Sequence, residues 1–174
     1  MARVKAKPKR RRTARDGARA RRPATRSVRV AIARTPANPD LPLPAYATPG
    51  SAGLDLRACV PGPLVLQPGE RCLVPTGFSI AIPPGYEGQV RPRSGLALRA
   101  GLTLLNTPGT IDSDYRGEVG VVVVNLGRDP VTIARGDRIA QLLISPVAHS
   151  RLVATSRLPA TARASGGFGH TGTR

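Results

Sequence analysis

The sequence predicts an all-β domain: a distorted jelly roll or β-sandwich-like barrel of short strands, with a flexible, Gly-rich C-terminal arm. Three observations carry this. Gly and Pro supply 37 of the 174 residues while 40% of the chain is hydrophobic, which excludes the low hydrophobicity of a disordered composition. The apolar residues fall in short runs rather than long helical faces. Turn signals separate those runs, namely Pro61-Gly62-Pro63, Pro68-Gly69, Pro83-Pro84-Gly85, Pro108-Gly109, Gly127 and Arg135-Gly136. Short strands at this spacing make a sandwich, jelly roll or barrel.

The first strand is expected over residues 28–33, where β-branched residues partly alternate. Pro36, Pro39, Pro42 and Pro44 then forbid regular structure. Further strands are expected over 54–58, 64–67, 71–74, 78–82, 86–91 and 102–106, then over 118–126, 131–133 and 137–146. Only residues 95–100 suit a helical turn or two. The run Val119-Gly120-Val121-Val122-Val123-Val124 lacks polar alternation. It predicts a strand buried on both faces, in a sandwich core or at a subunit interface. Residues 27–160 form the expected domain. Residues 161–174 are too rich in Gly to hold a helix or strand alone, and form the arm.

Charge is uneven. Residues 1–26 hold twelve Lys or Arg against Asp16, whereas the remaining 148 residues hold 15 basic and nine acidic groups. The extension should be disordered and should attract polyanions by counterion release, without sequence preference. Its composition also suits an organelle transit peptide, the lesser reading. Cys59 and Cys72 make no CxxC pair and have no nearby histidine. They read as buried, reduced thiols of a cytoplasmic protein. No apolar run approaches the roughly 18–20 residues of a membrane span.

Four segments carry chemistry. Pro92-Arg93-Ser94-Gly95 places a cation and a hydroxyl at the start of a helical turn, where phosphate binds. A Ser N-cap beside a surface Arg explains the same residues. Residues 106–118 pack Asp112, Asp114 and Glu118 into one polar loop, more acid than a turn requires. Residues 135–141 offer Arg138 and Gln141 as phosphate donors, or as a polar hairpin end. The tail with Arg163, Phe168, His170 and Thr171 suits a flap closing over a triphosphate; an ordinary loose terminus is the alternative. Each signal is weak alone. Together they read as one nucleoside-triphosphate site.

These segments resemble the five ordered motifs of the trimeric deoxyuridine triphosphatases (dUTPases). The motifs fall at residues 52–58, 92–97, 109–118, 135–142 and 166–172, and the resemblance spans about residues 28–174. It implies hydrolysis of dUTP to dUMP and pyrophosphate, which keeps uracil out of DNA and supplies dUMP for dTMP synthesis. It implies that Asp112 orients and deprotonates the attacking water. Because aspartate is a feeble base, positioning and charge stabilisation would supply most of the barrier lowering. It further implies that Asn106 pairs with the uracil edge, helped by the backbone of Gly109, Thr110, Ile111 and Gly120. Tyr115 would lie under the deoxyribose and exclude a 2′-hydroxyl. Arg93, Ser94 and Gly95 would hold the α- and β-phosphates, with Gln141 a further contact and Arg138 and Asp55 in support. Arg163 would meet the γ-phosphate, Phe168 the uracil, and Gly169, His170 and Thr171 the closing segment. Mg²⁺ would ride on the triphosphate and water, without a protein cage. A homotrimer with shared active sites is implied by the resemblance alone.

Two departures stand out: Ala164 follows Arg163 where the family has Gly, and His170 replaces the commoner Ser. The nearest alternative is a dCTP deaminase of the same fold. That family usually reads Ile-Asp-Pro-Gly-Phe where this chain has Ile111-Asp112-Ser113-Asp114-Tyr115. Tyr115, the spacing of Asn106 and the Gly-rich arm favour the triphosphatase. A non-catalytic nucleotide-binding protein is a second alternative, and Asp112 together with the arm counts against it.

Overall fold

The computed structural model describes residues 27–167. Eleven strands and one short helix form among them. The strands are β1 Ala31–Arg34, β2 Ala45–Tyr46, β3 Leu54–Arg57, β4 Leu64–Leu66, β5 Arg71–Ala81 and β6 Tyr86–Pro92. After the helix α1, Ser94–Ala100, come β7 Leu102–Leu104, β8 Gly109–Ile111, β9 Glu118–Asn125, β10 Val131–Ile133 and β11 Arg138–Pro146. A four-stranded sheet runs β1-β5-β9-β7 and a five-stranded sheet runs β2-β3-β11-β6-β8. The pair β10-β4 completes the set. Every pairing is antiparallel. The sheets stay open and do not close into a barrel, so the arrangement is a jelly-roll-like sandwich.

The core lies between the sheets. Val74, Ile80, Val121 and Val123 from one meet Leu56, Val90, Ile111 and Leu142 from the other in a single apolar cluster, joined by Leu66 and Ile133 of the pair. Burial of this apolar area is the main driving term. Asn125, fully buried, donates to the carbonyls of Leu66 and Asp129 at 3.0 and 2.9 Å and accepts the Gly127 N–H at 2.9 Å. One side chain thus satisfies three backbone groups where strands separate.

Where strand edges differ from expectation, side chains are the cause. Residues 71–74 and 78–82 read as two strands because Pro75 and Gly77 look like breakers. They form one, β5, with a register shift between Pro75 and Ser79 and Gly77 at φ 74°. The lost ladder contacts are replaced: Glu118 Oε1 accepts the Gly77 N–H at 2.7 Å, Asn38 Nδ2 donates to its carbonyl at 3.2 Å, and Thr76 Oγ1 donates to Val119 O at 2.7 Å. The polar loop also hides β8, which pairs with β6 in the register Gly88↔Ile111, and β2 forms just after the proline run.

In the valine run Val119, Val121, Val123 and Val124 are buried within the chain, while Gly120 and Val122 are half-buried. Cys59 is buried, Cys72 is half-buried, and both are free thiols. Burial, with the Glu70 carboxylate second, raises the pKa of Cys72. Among the described residues no helix is long and apolar enough to cross a membrane.

Candidate functional site

The structure gathers residues from three separate chain segments into a polar cleft of about 330 Å³, lined by Gly53, Asp55, Arg93, Ser94, Gly95, Arg99 and Gln141 among others. Strand pairing places them there. Gln141 on β11 stands opposite Asp55 on β3 and opposite Arg91 on β6, and α1 begins where β6 ends. Gly53 must be small: an added Cβ would lie 2.8 Å from Gln141 Oε1. Gln141 Nε2 donates to Pro92 O at 3.1 Å, fixing the approach to Arg93.

Asp55 holds two arginines. Its Oδ1 meets Arg93 Nε at 3.3 Å and its Oδ2 meets Arg138 Nη1 at 3.0 Å. Arg93 Nη1 also donates to Arg138 O at 3.2 Å. The carboxylate is 17% exposed and the arginines 28% and 43%, so the pairs orient more than they stabilise. Arg138 is not part of the cleft lining. It faces a neighbouring cavity of about 300 Å³ beside α1 and β10. Ser94 is the first helical residue and Arg93 holds the N-cap position without a side-chain capping bond, so Ser94 is not an ordinary N-cap. Its backbone N–H, like that of Gly95, has no intrahelical acceptor.

A second cleft, of about 160 Å³, is lined by Thr110, Ile111, Asp112, Tyr115, Glu118, Val119 and Gly120. It shares no lining residue with the first. β8 carries Thr110 and Ile111 to its wall, and β9 carries Gly120. The Tyr115 N–H donates to Asp112 O at 3.2 Å, closing the turn between them. The Asp112 side chain is exposed and has no ion-pair or hydrogen-bond partner among the described residues. The Tyr115 hydroxyl donates to Glu118 O at 2.9 Å. Gly117 permits that pose, since a Cβ there would stand 2.4 Å from the hydroxyl. The Asn106 amide lies against Gly109, 3.2 Å from where a Cβ would stand, and makes no side-chain hydrogen bond among the described residues. The Thr107–Pro108 peptide is cis.

Of the acidic trio in the loop, Glu118 is explained by its bond to the β5 bulge. No group of three His, Cys, Asp or Glu side chains among the described residues is placed to hold a metal. Arg163 lies in an exposed turn, with Gly166 N donating to Arg163 O at 2.9 Å. Ala164 takes φ 45°, the left-handed region where glycine is favoured and where the resemblance expects it. Phe168, Gly169, His170 and Thr171 lie outside the described residues, as does the basic extension. Arg99 and Gly117 are the site residues that sequence reading missed. The signal for Arg99 was its i, i+4 spacing from Gly95, which puts both on one helix face.

The chain matches the dUTPase family model over residues 40–172. It is 63% identical over 145 residues to a deoxyuridine 5′-triphosphate nucleotidohydrolase of Methylocella silvestris, covering 82% of this chain and 91% of that one. Against the corresponding protein of Caldanaerobacter subterraneus the identity is 56% over 146 residues, covering 84% and 99%. Among solved structures it resembles a mutant dUTPase of Staphylococcus bacteriophage 80alpha with dUpNHpp, with TM-score 0.75 and 22% identity, covering 83% of this chain and 99% of that one. It also resembles a mutant dUTPase of phage phi11 of S. aureus described with a structural Mg(II) ion, with TM-score 0.66 and 22% identity, covering 74% and 97%.

Proposed function

The chain belongs to the dUTPase family and is a hydrolase acting on dUTP, and from that premise we propose that it releases dUMP and pyrophosphate by attack of water on the α-phosphorus. The observation that carries this reading is the Asp112 carboxylate, exposed and without a partner among the described residues, on the wall of the hairpin cleft beside Tyr115. A carboxylate with no protein donor competing for it is free to accept a proton from water. As the water oxygen bonds to the α-phosphorus, its proton passes to Asp112. The bond to the bridging oxygen of the β-phosphate breaks, and that oxygen leaves with the pyrophosphate. Little covalent chemistry falls to the protein, so positioning and charge dominate.

Each cleft has its part. Arg93, Ser94, Gly95 and Gln141 hold the phosphates, with Asp55 and Arg138 keeping Arg93 in place. Asn106 presents an uncommitted amide to the uracil edge, with the backbone of Gly109, Thr110, Ile111 and Gly120 completing the pairing. Unpaired buried polar groups would make rejection of cytosine sharp. Tyr115 forms the floor under the deoxyribose. Arg163 and the segment from Phe168 to Thr171 close over the triphosphate. Mg²⁺ travels on the triphosphate oxygens and water, where it offsets phosphate charge.

Complete sites, on the family reading, draw their motifs from more than one copy. A homotrimer is further supported by an apolar row across the four-stranded sheet: Leu73 opposite Val122, with Leu105 bonded to Val122 through its N–H. Leu73 and Leu105 are 66% and 54% exposed, an apolar surface a partner copy would cover. The protein acts in the cytoplasm, its thiols reduced, and residues 1–26 make loose contact with polyanions.

Product analysis with dUTP, dCTP, dTTP and UTP in the presence of Mg²⁺ tests the reading. dUMP and pyrophosphate from dUTP alone are expected. dUTP or dUMP formed from dCTP would move the chain to the deaminase branch, and binding of dUTP without turnover would make it a binding protein.

A further inference from the structure

The phosphate cleft has a cation that neither the ion-pair network nor the reading above uses. Three charged side chains line the cleft: Asp55, Arg93 and Arg99. Asp55 and Arg93 are paired at 3.3 Å and cancel. Arg99 is therefore the group that leaves the lining with a net positive charge. Its guanidinium lies over Gly95, with Nη1 3.1 Å and Cζ 3.6 Å from the position a Cβ would take. The guanidinium is thus in close contact with Gly95 at the cleft wall. Among the described residues Arg99 has no carboxylate partner and no hydrogen bond to any acceptor, so all five of its N–H donors remain uncommitted.

We propose that Arg99 is a phosphate ligand of the dUTP site, directed to the β- and γ-phosphates, and that it sets the preference for the triphosphate over shorter nucleotides. This rests on the reading of the cleft as the phosphate site. The direction follows from the roles proposed above: Arg93, Ser94 and Gly95 take the α- and β-phosphates, and the Arg99 guanidinium lies over Gly95 on the same cleft lining, where the remaining distal phosphates would meet it. A guanidinium suits them, since it presents paired donors to phosphate oxygens. Arg99 is exposed; a contact shared by ground and transition state acts on KM, and any part of it that strengthens as charge builds on the leaving pyrophosphate acts on kcat.

The test compares Arg99→Gln, Arg99→Lys and Arg93→Gln in the full chain, with calorimetric binding of dUpNHpp and of dUMP alongside steady-state kinetics. Arg99→Gln is expected to weaken dUpNHpp binding roughly tenfold, the scale of one charge-assisted hydrogen bond. Its dUMP affinity should stay within about twofold of wild type, KM should rise more than kcat falls, and Arg99→Lys should recover most of the loss. Unchanged dUpNHpp affinity in Arg99→Gln, with Arg93→Gln weakened, would overturn the assignment of Arg99 alone. Unchanged affinity in both would remove the cleft as the phosphate site, and the proposal with it. Equal losses for dUMP and dUpNHpp would mark Arg99 as structural and also overturn it.

Discussion

Replacing Gly117 with Ala separates the stability of the hairpin from its chemistry. The added methyl would stand 2.4 Å from the Tyr115 hydroxyl, 2.7 Å from Cζ and 3.0 Å from Cε2. Ordinary non-bonded contact lies near 3.5 Å, so the ring must retreat by about 1 Å. Retreat breaks the 2.9 Å bond to Glu118 O, which costs about 1 kcal/mol or less at a surface site. Tyr115 is 45% exposed, so its ring can swing outward without opening the core, and the melting temperature should fall by only a few degrees, roughly 2–4 °C per kcal/mol for a chain of this size. Function should suffer more. A sugar-supporting ring displaced by about 1 Å costs between roughly tenfold and a hundredfold in kcat/KM. The UTP-to-dUTP ratio should rise, since in the proposed site the same ring excludes the 2′-hydroxyl. Pyrophosphate release measured with both nucleotides, beside a thermal melt, gives all three numbers. A variant that rejects UTP as strictly as wild type, with unchanged dUTP kinetics, would refute the placement of Tyr115 under the sugar.

Asp112→Asn is expected to retain dUpNHpp binding and lose turnover; wild-type turnover would remove Asp112 from its role. Deleting residues 162–174 should cost far more kcat/KM than deleting residues 1–26, and equal losses would mean that the arm is not a lid. The Arg135 hydrogen bond and charge hold the Asp40 carboxyl below its usual range. That pair adds stability above the ordinary Asp value, near pH 4, and loses it as pH falls through the lowered native value. Asp40→Asn should therefore flatten the acid limb of a stability-versus-pH curve below about pH 4, whereas an unchanged limb would show that the pair does not form in solution.

Most of the strand order was legible in the sequence because short apolar runs between Gly and Pro leave few alternatives to an antiparallel sandwich. Asp112 and Tyr115 line one cleft and Arg93 and Gln141 another, and the sequence could single them out as candidates because their motifs are local. Sequence could not join 71–74 to 78–82, because Pro75 and Gly77 break strands locally and only the distant Glu118 and Asn38 supply the missing partners. It could not show that Arg138 pairs with Asp55 without itself lining the cleft, since that choice depends on an ion pair across 83 residues. Nor could it show that Gly117 makes room for a ring, or that Arg99 folds over Gly95. Local composition determined which chemistry the chain carries. Tertiary packing decided which of those groups are spent on holding the fold and which stay free, because a side chain's partners come from strands that only the folded sheets bring together.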